Sequence, residues 1–236
     1  MTTLPVSAPL RSLLSPRPCA RGGFTLIELI VVIGIIALLV GALGLALGNT
    51  GATSLATAQN TLATLVGTAR AQAAVRQTEA RVLVYATRPP SGDTEKYLRY
   101  ARVVTAATPG VTGTGAIWTA VGTPVALPRG VYLVPTPITG LVASGIIWPA
   151  NPSPTSTLIA VARYNITNEP ATAAADTYLA LEFSPNGTVL PAAAKLAVAT
   201  ATIANGLPQF DNAGAVRGLL VRTSGAVTRV NDAGSF

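Results

Sequence analysis

Arg21-Gly22-Gly23-Phe24-Thr25-Leu26-Ile27-Glu28-Leu29-Ile30-Val31-Val32 is the stretch on which the reading of this chain turns. It opens a run from Phe24 to Leu47, FTLIELIVVIGIIALLVGALGLAL, in which Glu28 is the only charge; no other charged residue occurs between Arg21 and Arg70. As a helix rising 1.5 Å per residue the run is about 36 Å long, enough to cross a hydrocarbon core of about 30 Å. Arginines precede it and no acid accompanies them, so the N-terminus is expected in the cytoplasm and the rest of the chain outside. Three readings of the run stay open on its residues. A secretory signal would end in small residues such as Ala42-Leu43-Gly44 or Ala46-Leu47-Gly48. A signal anchor would simply stay in the bilayer. Neither accounts for a carboxylate near the start of the apolar run, which is costly there without a partner.

The same twelve residues resemble the class III signal of type IV pilins and type II secretion pseudopilins. The resemblance implies cleavage after Gly23 by a prepilin peptidase on the cytoplasmic side and N-methylation of the new first residue, Phe24. It also implies that the apolar helix is retained and that Glu28 pairs with the N-terminal ammonium of a neighbouring subunit, the partner that a buried carboxylate needs. Gly23 suits a narrow peptidase site because it has no Cβ. Cys19, in Pro-Arg-Pro-Cys, lacks the small and aliphatic residues that precede a lipidated cysteine and is expected to leave with the leader. The mature chain then has no cysteine. Major type IV pilins commonly close a C-terminal loop with a disulfide, so the departure favours pseudopilins and minor pilins.

Beyond the span, Asn49-Thr50-Gly51 reads as a weak point. Leu55, Leu62, Leu65, Val66, Ala69 and Ala73 then recur at helical spacing, with Gln59, Asn60, Thr64, Arg70 and Gln77 on the other faces, so a helix is expected over 54–78 with its stripe against a sheet. β-branched runs between Gly and Pro clusters follow. They place strands at 81–86, 97–105, 130–134, 157–164, 177–184, 188–190, 196–203, 216–222 and 226–230. The proline-rich interval 105–154 is expected as loops and short edge strands. Asn186-Gly187 marks a two-residue hairpin turn. The fold class is therefore α+β, a long N-terminal helix whose second half packs on a β-rich antiparallel head. Its domains are a leader at 1–23, an assembly helix at 24–53 and the head at 54–236.

Three further segments narrow the resemblance. Ala69-Arg70-Ala71-Gln72-Ala73-Ala74-Val75-Arg76 with Arg81-Val82-Leu83-Val84, Leu181-Glu182-Phe183-Ser184-Pro185-Asn186-Gly187-Thr188, and Leu220-Val221-Arg222-Thr223-Ser224-Gly225-Ala226-Val227 look like signatures of H-type minor pseudopilins and the related FimT-like minor pilins. Residues 83–165 match nothing in that group. The partners implied are prepilin peptidase, other pseudopilins or pilins, the inner-membrane assembly platform, secreted cargo, and the lipid bilayer before assembly. Some FimT-like pilins bind DNA through basic C-terminal surfaces, which makes Arg217, Arg222 and Arg229 the candidates here.

Composition points away from catalysis. The 236 residues include no His and one Cys, which removes the commonest general base and any thiolate metal cage. No Gly-rich phosphate loop is present. The net charge of +7 includes Arg11, Arg17 and Arg21 of the leader and so overstates how basic the head is. Asp93 and Glu95 beside Lys96 read as a solvated loop, and Asp211, Asn212 and Asp232 lack the dense oxygen spacing of a calcium loop. Neither a metal nor a cofactor is expected, and the chain reads as a non-enzymatic subunit.

Overall fold

The structure, a computed structural model, describes residues 25–47, 50–87, 92–108, 116–135, 156–167, 176–190, 192–210 and 215–236, with the backbone alone at 41–47, 50 and 159–162. The chain divides into two compact units between Leu47 and Gly48.

The first unit holds helix α1 (Leu26–Leu47). Its described side chains are exposed on every side, from Leu26 through Ile30, Ile33 and Ile36 to Val40. A helix apolar all round has no face suited to water. Among the described residues no helix is long and apolar enough to cross a membrane, the side chains of α1 being described only as far as Val40.

The second unit opens with α2 (Thr50–Arg76), so Thr50 and Gly51, expected as a break, are helical. The remaining elements are β1 (Ala80–Tyr85), β2 (Tyr100–Ala106), β3 (Ile117–Ala126), β4 (Val131–Leu133), β5 (Ile159–Arg163), β6 (Asn165–Ile166), β7 (Thr177–Phe183), β8 (Val189–Leu190), β9 (Ala194–Thr200), β10 (Thr202–Ala204), β11 (Leu207–Gln209), β12 (Val216–Val221) and β13 (Val227–Val230). They form a seven-stranded sheet ordered β5-β7-β1-β2-β3-β6 with β8 also on β7, a four-stranded sheet β13-β12-β9-β4, and a separate hairpin β10-β11. Strand pairs are antiparallel except β3 with β6.

Helix α2 lies against both sheets. The stripe expected from its spacing, Leu55, Leu62, Leu65, Val66, Ala69 and Ala73, is buried as expected and shares one core with Val82, Val84, Val103, Leu196, Val198 and Leu219. Gln59 is not on an outer face as its polarity suggested. Four residues after Leu55 and three before Leu62, it falls on the stripe, and its Nε2 donates to the carbonyls of Gly218 (2.7 Å) and Val230 (2.8 Å). A buried amide is tolerated where backbone acceptors meet it. The helix ends at Arg76, with Gln77 in the left-handed region at φ 53°, the conformation of a helix C-terminal cap.

The large sheet is covered on both faces, which is why β1 (ARVLVY) is buried throughout rather than alternating. Val82 and Val84 point to the α2 core, while Leu83 and Tyr85 join Val104, Trp118, Tyr164, Ile166 and Tyr178 on the other side.

Three further expectations need correction. Residues 117–126, expected as loops and short edge strands, form the longest strand among the described residues. Pro124 hid it, yet the ladder jumps from Ala101↔Val125 to Val103↔Val121, leaving Gly122, Thr123 and Pro124 opposite Arg102. Gly122 takes φ 70° in this bulge, so Pro124 sits where the ladder is interrupted anyway. The strand expected over 196–203 breaks at Ala201 into β9 and β10. The 186–187 turn has three residues, not two. Ser184 N–H donates to Thr188 O and Gly187 N–H to Ser184 O, both 2.8 Å, closing a loop of Pro185, Asn186 and Gly187 with Gly187 at φ 74°. Proline holds φ near −65°, which suits the first position of a type I turn followed by a left-handed glycine.

Candidate assembly site

Helix α1 starts at Leu26, and Thr25 caps it. Leu29 N–H donates to Thr25 O (3.2 Å), the first bond of the helix. Glu28 Oε2 accepts from the Thr25 backbone N–H and from Thr25 Oγ1, each at 2.8 Å, and Glu28 N–H donates to Thr25 Oγ1 (3.3 Å). This is a reciprocal capping box, Thr-x-x-Glu. Its signal lay in Thr25-Leu26-Ile27-Glu28 and was not read from the sequence. Within this single chain Glu28 is thus matched by Thr25, while its second carboxylate oxygen, Oε1, carries none of these bonds. Gly23 and Phe24, the residues expected at the cleavage and methylation point, lie outside the described residues.

The three segments that carried the closer resemblance meet at one place. The β12–β13 turn repeats the construction of the β7–β8 turn: Arg222 N–H donates to Ala226 O (2.8 Å), Gly225 N–H to Arg222 O (2.7 Å), and Gly225 has φ 76°. The two turns touch, since Val189 N–H donates to Thr223 O (2.9 Å). Between them runs the stem of Arg70 from α2. A Cβ at Gly187 would fall 3.2 Å from Arg70 Cγ, and one at Gly225 would fall 2.7 Å from Arg70 Cδ and 2.6 Å from the Gly187 carbonyl. Both glycines are therefore needed twice, for their φ and for the space that the arginine stem fills.

On the far face of the large sheet, Arg81 is buried. Its guanidinium pairs with Glu182 (2.5 Å), directly opposite on β7, and with Glu79 (3.5 Å), and it donates to Tyr164 Oη (2.9 Å). It stacks 4.4 Å above the Trp118 ring. Burial pushes the Glu182 carboxyl above its usual range, against the pull of Arg81. Burial likewise raises the Tyr164 phenol. This cluster was missed because Arg81 reads in sequence as an ordinary strand residue; apart from Glu79, its partners Trp118, Tyr164 and Glu182 come from positions more than thirty residues away.

The candidate DNA-contact arginines are only partly assembled. Arg217 is half-buried on β12, Arg229 is exposed on β13 opposite Leu219, and Arg222 is exposed at the turn. Strand alternation puts Arg217 and Arg229 on one face and Arg222 on the other. None of the three has an ion pair among the described residues.

The acidic positions are engaged by their own neighbours. Asp93 pairs with Lys96 (3.6 Å) and accepts from Glu95 N–H (2.9 Å), while Glu95 pairs with Arg99 (2.8 Å). Asp232 accepts from Ser235 Oγ at 2.8 Å; Asp211 and Asn212 lie outside the described residues. Among the described residues no group of three metal-ligating side chains occurs.

A family model described as the prokaryotic N-terminal methylation motif matches residues 19–44. None of the curated proteins matches the sequence. The type IV minor pilin FimU of Pseudomonas aeruginosa is similar in two crystal forms. One is 12% identical over 75% of this chain and 88% of that one, with a TM-score of 0.37. The other is 12% identical over 74% and 91%, with a TM-score of 0.35.

Proposed function

We propose that this chain is a minor pseudopilin, a non-catalytic structural subunit of a type II secretion pseudopilus that is cut and N-methylated by prepilin peptidase. The observation that carries the reading is the methylation motif over residues 19–44, placed where a capped, charge-poor helix begins. In this reading the apolar run 24–47 holds the precursor in the inner membrane, with the leader in the cytoplasm and the head in the periplasm. Cleavage after Gly23 creates an ammonium at Phe24. Glu28, already turned toward the helix start by Thr25, then offers its remaining oxygen to the ammonium of a neighbouring subunit, so that neither charge is left unpaired among packed helices. The partners are prepilin peptidase, other pseudopilins, the inner-membrane assembly platform and the exported cargo. The head supplies contact surface.

A second reading, a FimT-like minor pilin of a type IV pilus or competence system, is favoured by the arginines Arg217, Arg222 and Arg229, which have no acidic partner among the described residues and would contact DNA phosphates. Deleting the gene in its host separates the two. The pseudopilin reading expects loss of protein export with pili and DNA uptake intact. Loss of transformation or piliation with normal export supports the second reading, and no change in any of the three contradicts both.

A further inference from the structure

The chain contains two Asn-Gly pairs in hairpin turns, each with its asparagine exposed, that differ in one chemically decisive respect. Asn205 and Gly206, at φ 52° and 76°, form the two-residue turn joining β10 and β11, with both positions in the left-handed region that a type I′ turn requires. Asn205 is exposed, and the Gly206 backbone N–H has no acceptor among the described residues. At the other pair, Asn186 is exposed too, but Gly187 N–H donates to Ser184 O (2.8 Å), and Gly187 is buried against the stem of Arg70.

We propose that Asn205 is a site of spontaneous self-modification, converting to aspartate and isoaspartate, and that Asn186 is protected from the same reaction by its turn. The Gly206 backbone nitrogen attacks Asn205 Cγ. A new C–N bond closes a five-membered succinimide, the bond from Cγ to Nδ2 breaks, and the proton lost from the Gly206 nitrogen leaves with Nδ2 as ammonia. Water then opens the ring at either carbonyl. The attack needs an unencumbered following N–H and a residue without Cβ, which Gly206 supplies and Gly187, held by Ser184, does not. Each event places one negative charge in Thr200–Phe210, a segment with none. The isoaspartyl product also adds a methylene to the main chain, which the two-residue turn cannot absorb, so the β10–β11 hairpin is the element that ages.

The test is to incubate the full chain in detergent micelles in mildly alkaline buffer, folded and in concentrated urea, and to map peptides by mass. Cleavage at Arg163, Lys195 and Arg217 puts the two asparagines on separate peptides. In the folded chain the amide-to-acid conversion should accumulate at Asn205 about tenfold faster than at Asn186, the factor that one ordinary hydrogen bond represents. In urea the two rates should converge. Folded Asn186 converting as fast as Asn205 would overturn the proposal, and so would folded rates equal to the urea rates at both sites.

Discussion

Gly225 and Gly130 both hold φ 76°, but only Gly225 is crowded: a Cβ at Gly130 meets nothing within 4 Å. Replacing Gly130 with Ala should therefore cost only the left-handed penalty, about 1 kcal/mol. Gly225→Ala adds a collision with the Gly187 carbonyl and the Arg70 stem, and should cost about 2 kcal/mol more. Thermal unfolding followed through the buried Trp118 reads the difference; equal melting temperatures for the two variants would mean that the two turns are not pinned on Arg70. Glu182 gives a second residue-level prediction. Its carboxyl is raised in the fold, first by burial and then by Glu79, with Arg81 opposing. A raised carboxyl binds its proton more tightly folded than unfolded, so its contribution to stability grows as pH falls from its folded value to the ordinary range near 4.5. Between neutral pH and about pH 5, the wild type should accordingly gain stability relative to Glu182→Gln. A wild-type loss relative to the variant would reverse the sign and refute the account of that cluster. Glu28, Gly23 and Phe24 are candidates because they fall within one contiguous motif. Arg81 was not legible in the sequence, because Trp118, Tyr164 and Glu182 come to it only through strand pairing.

At the start of α1 the capping box and the proposed intersubunit pair draw on the same carboxylate, and substitutions divide the two roles. Glu28→Gln keeps an acceptor for Thr25 and so keeps the cap, but removes the charge; Glu28→Leu removes both. Insertion and leader cleavage should survive in each, since the run only loses a charge. Incorporation into filaments, scored by shearing and blotting, should fall for both variants if the charge pair matters. Normal incorporation of Glu28→Gln with failure of Glu28→Leu would assign the whole effect to the cap. Other elements show what periodicity reveals and what it hides. The stripe of α2 was readable from spacing alone, because a helix buries one face. Strand β3 was not, because its bulge over Gly122, Thr123 and Pro124 suspends the two-residue alternation and places a proline inside the strand. The Asn-Gly pairs show the same limit: Pro185 turns one into a three-residue loop, while Ala204 leaves the other a two-residue one.

For the whole molecule, the continuous exposed apolar surface among the described residues lies on α1; the second unit exposes separate side chains such as Val75, Ile117 and Ile203 and buries the stripe of α2 between two sheets. A chain shortened to Ser54–Phe236 should therefore be soluble and unfold cooperatively, unmoved by reductant because it has no cysteine. Chelator should leave it unmoved too; a lower melting temperature with chelator would reveal a metal site beyond the described residues. The class α+β and the place of the long helix were legible from composition and hydropathy. The division of the strands into two sheets was not, because it rests on pairings such as β1 with β7 and β9 with β12 that join residues far apart in the chain. The central claim is processing at Gly23, and the intact mass and N-terminal sequence of the chain recovered from membranes containing prepilin peptidase test it most directly. The account predicts a chain that begins at N-methylated Phe24 and retains α1; a chain beginning near Asn49, or one still carrying residues 1–23, would contradict it.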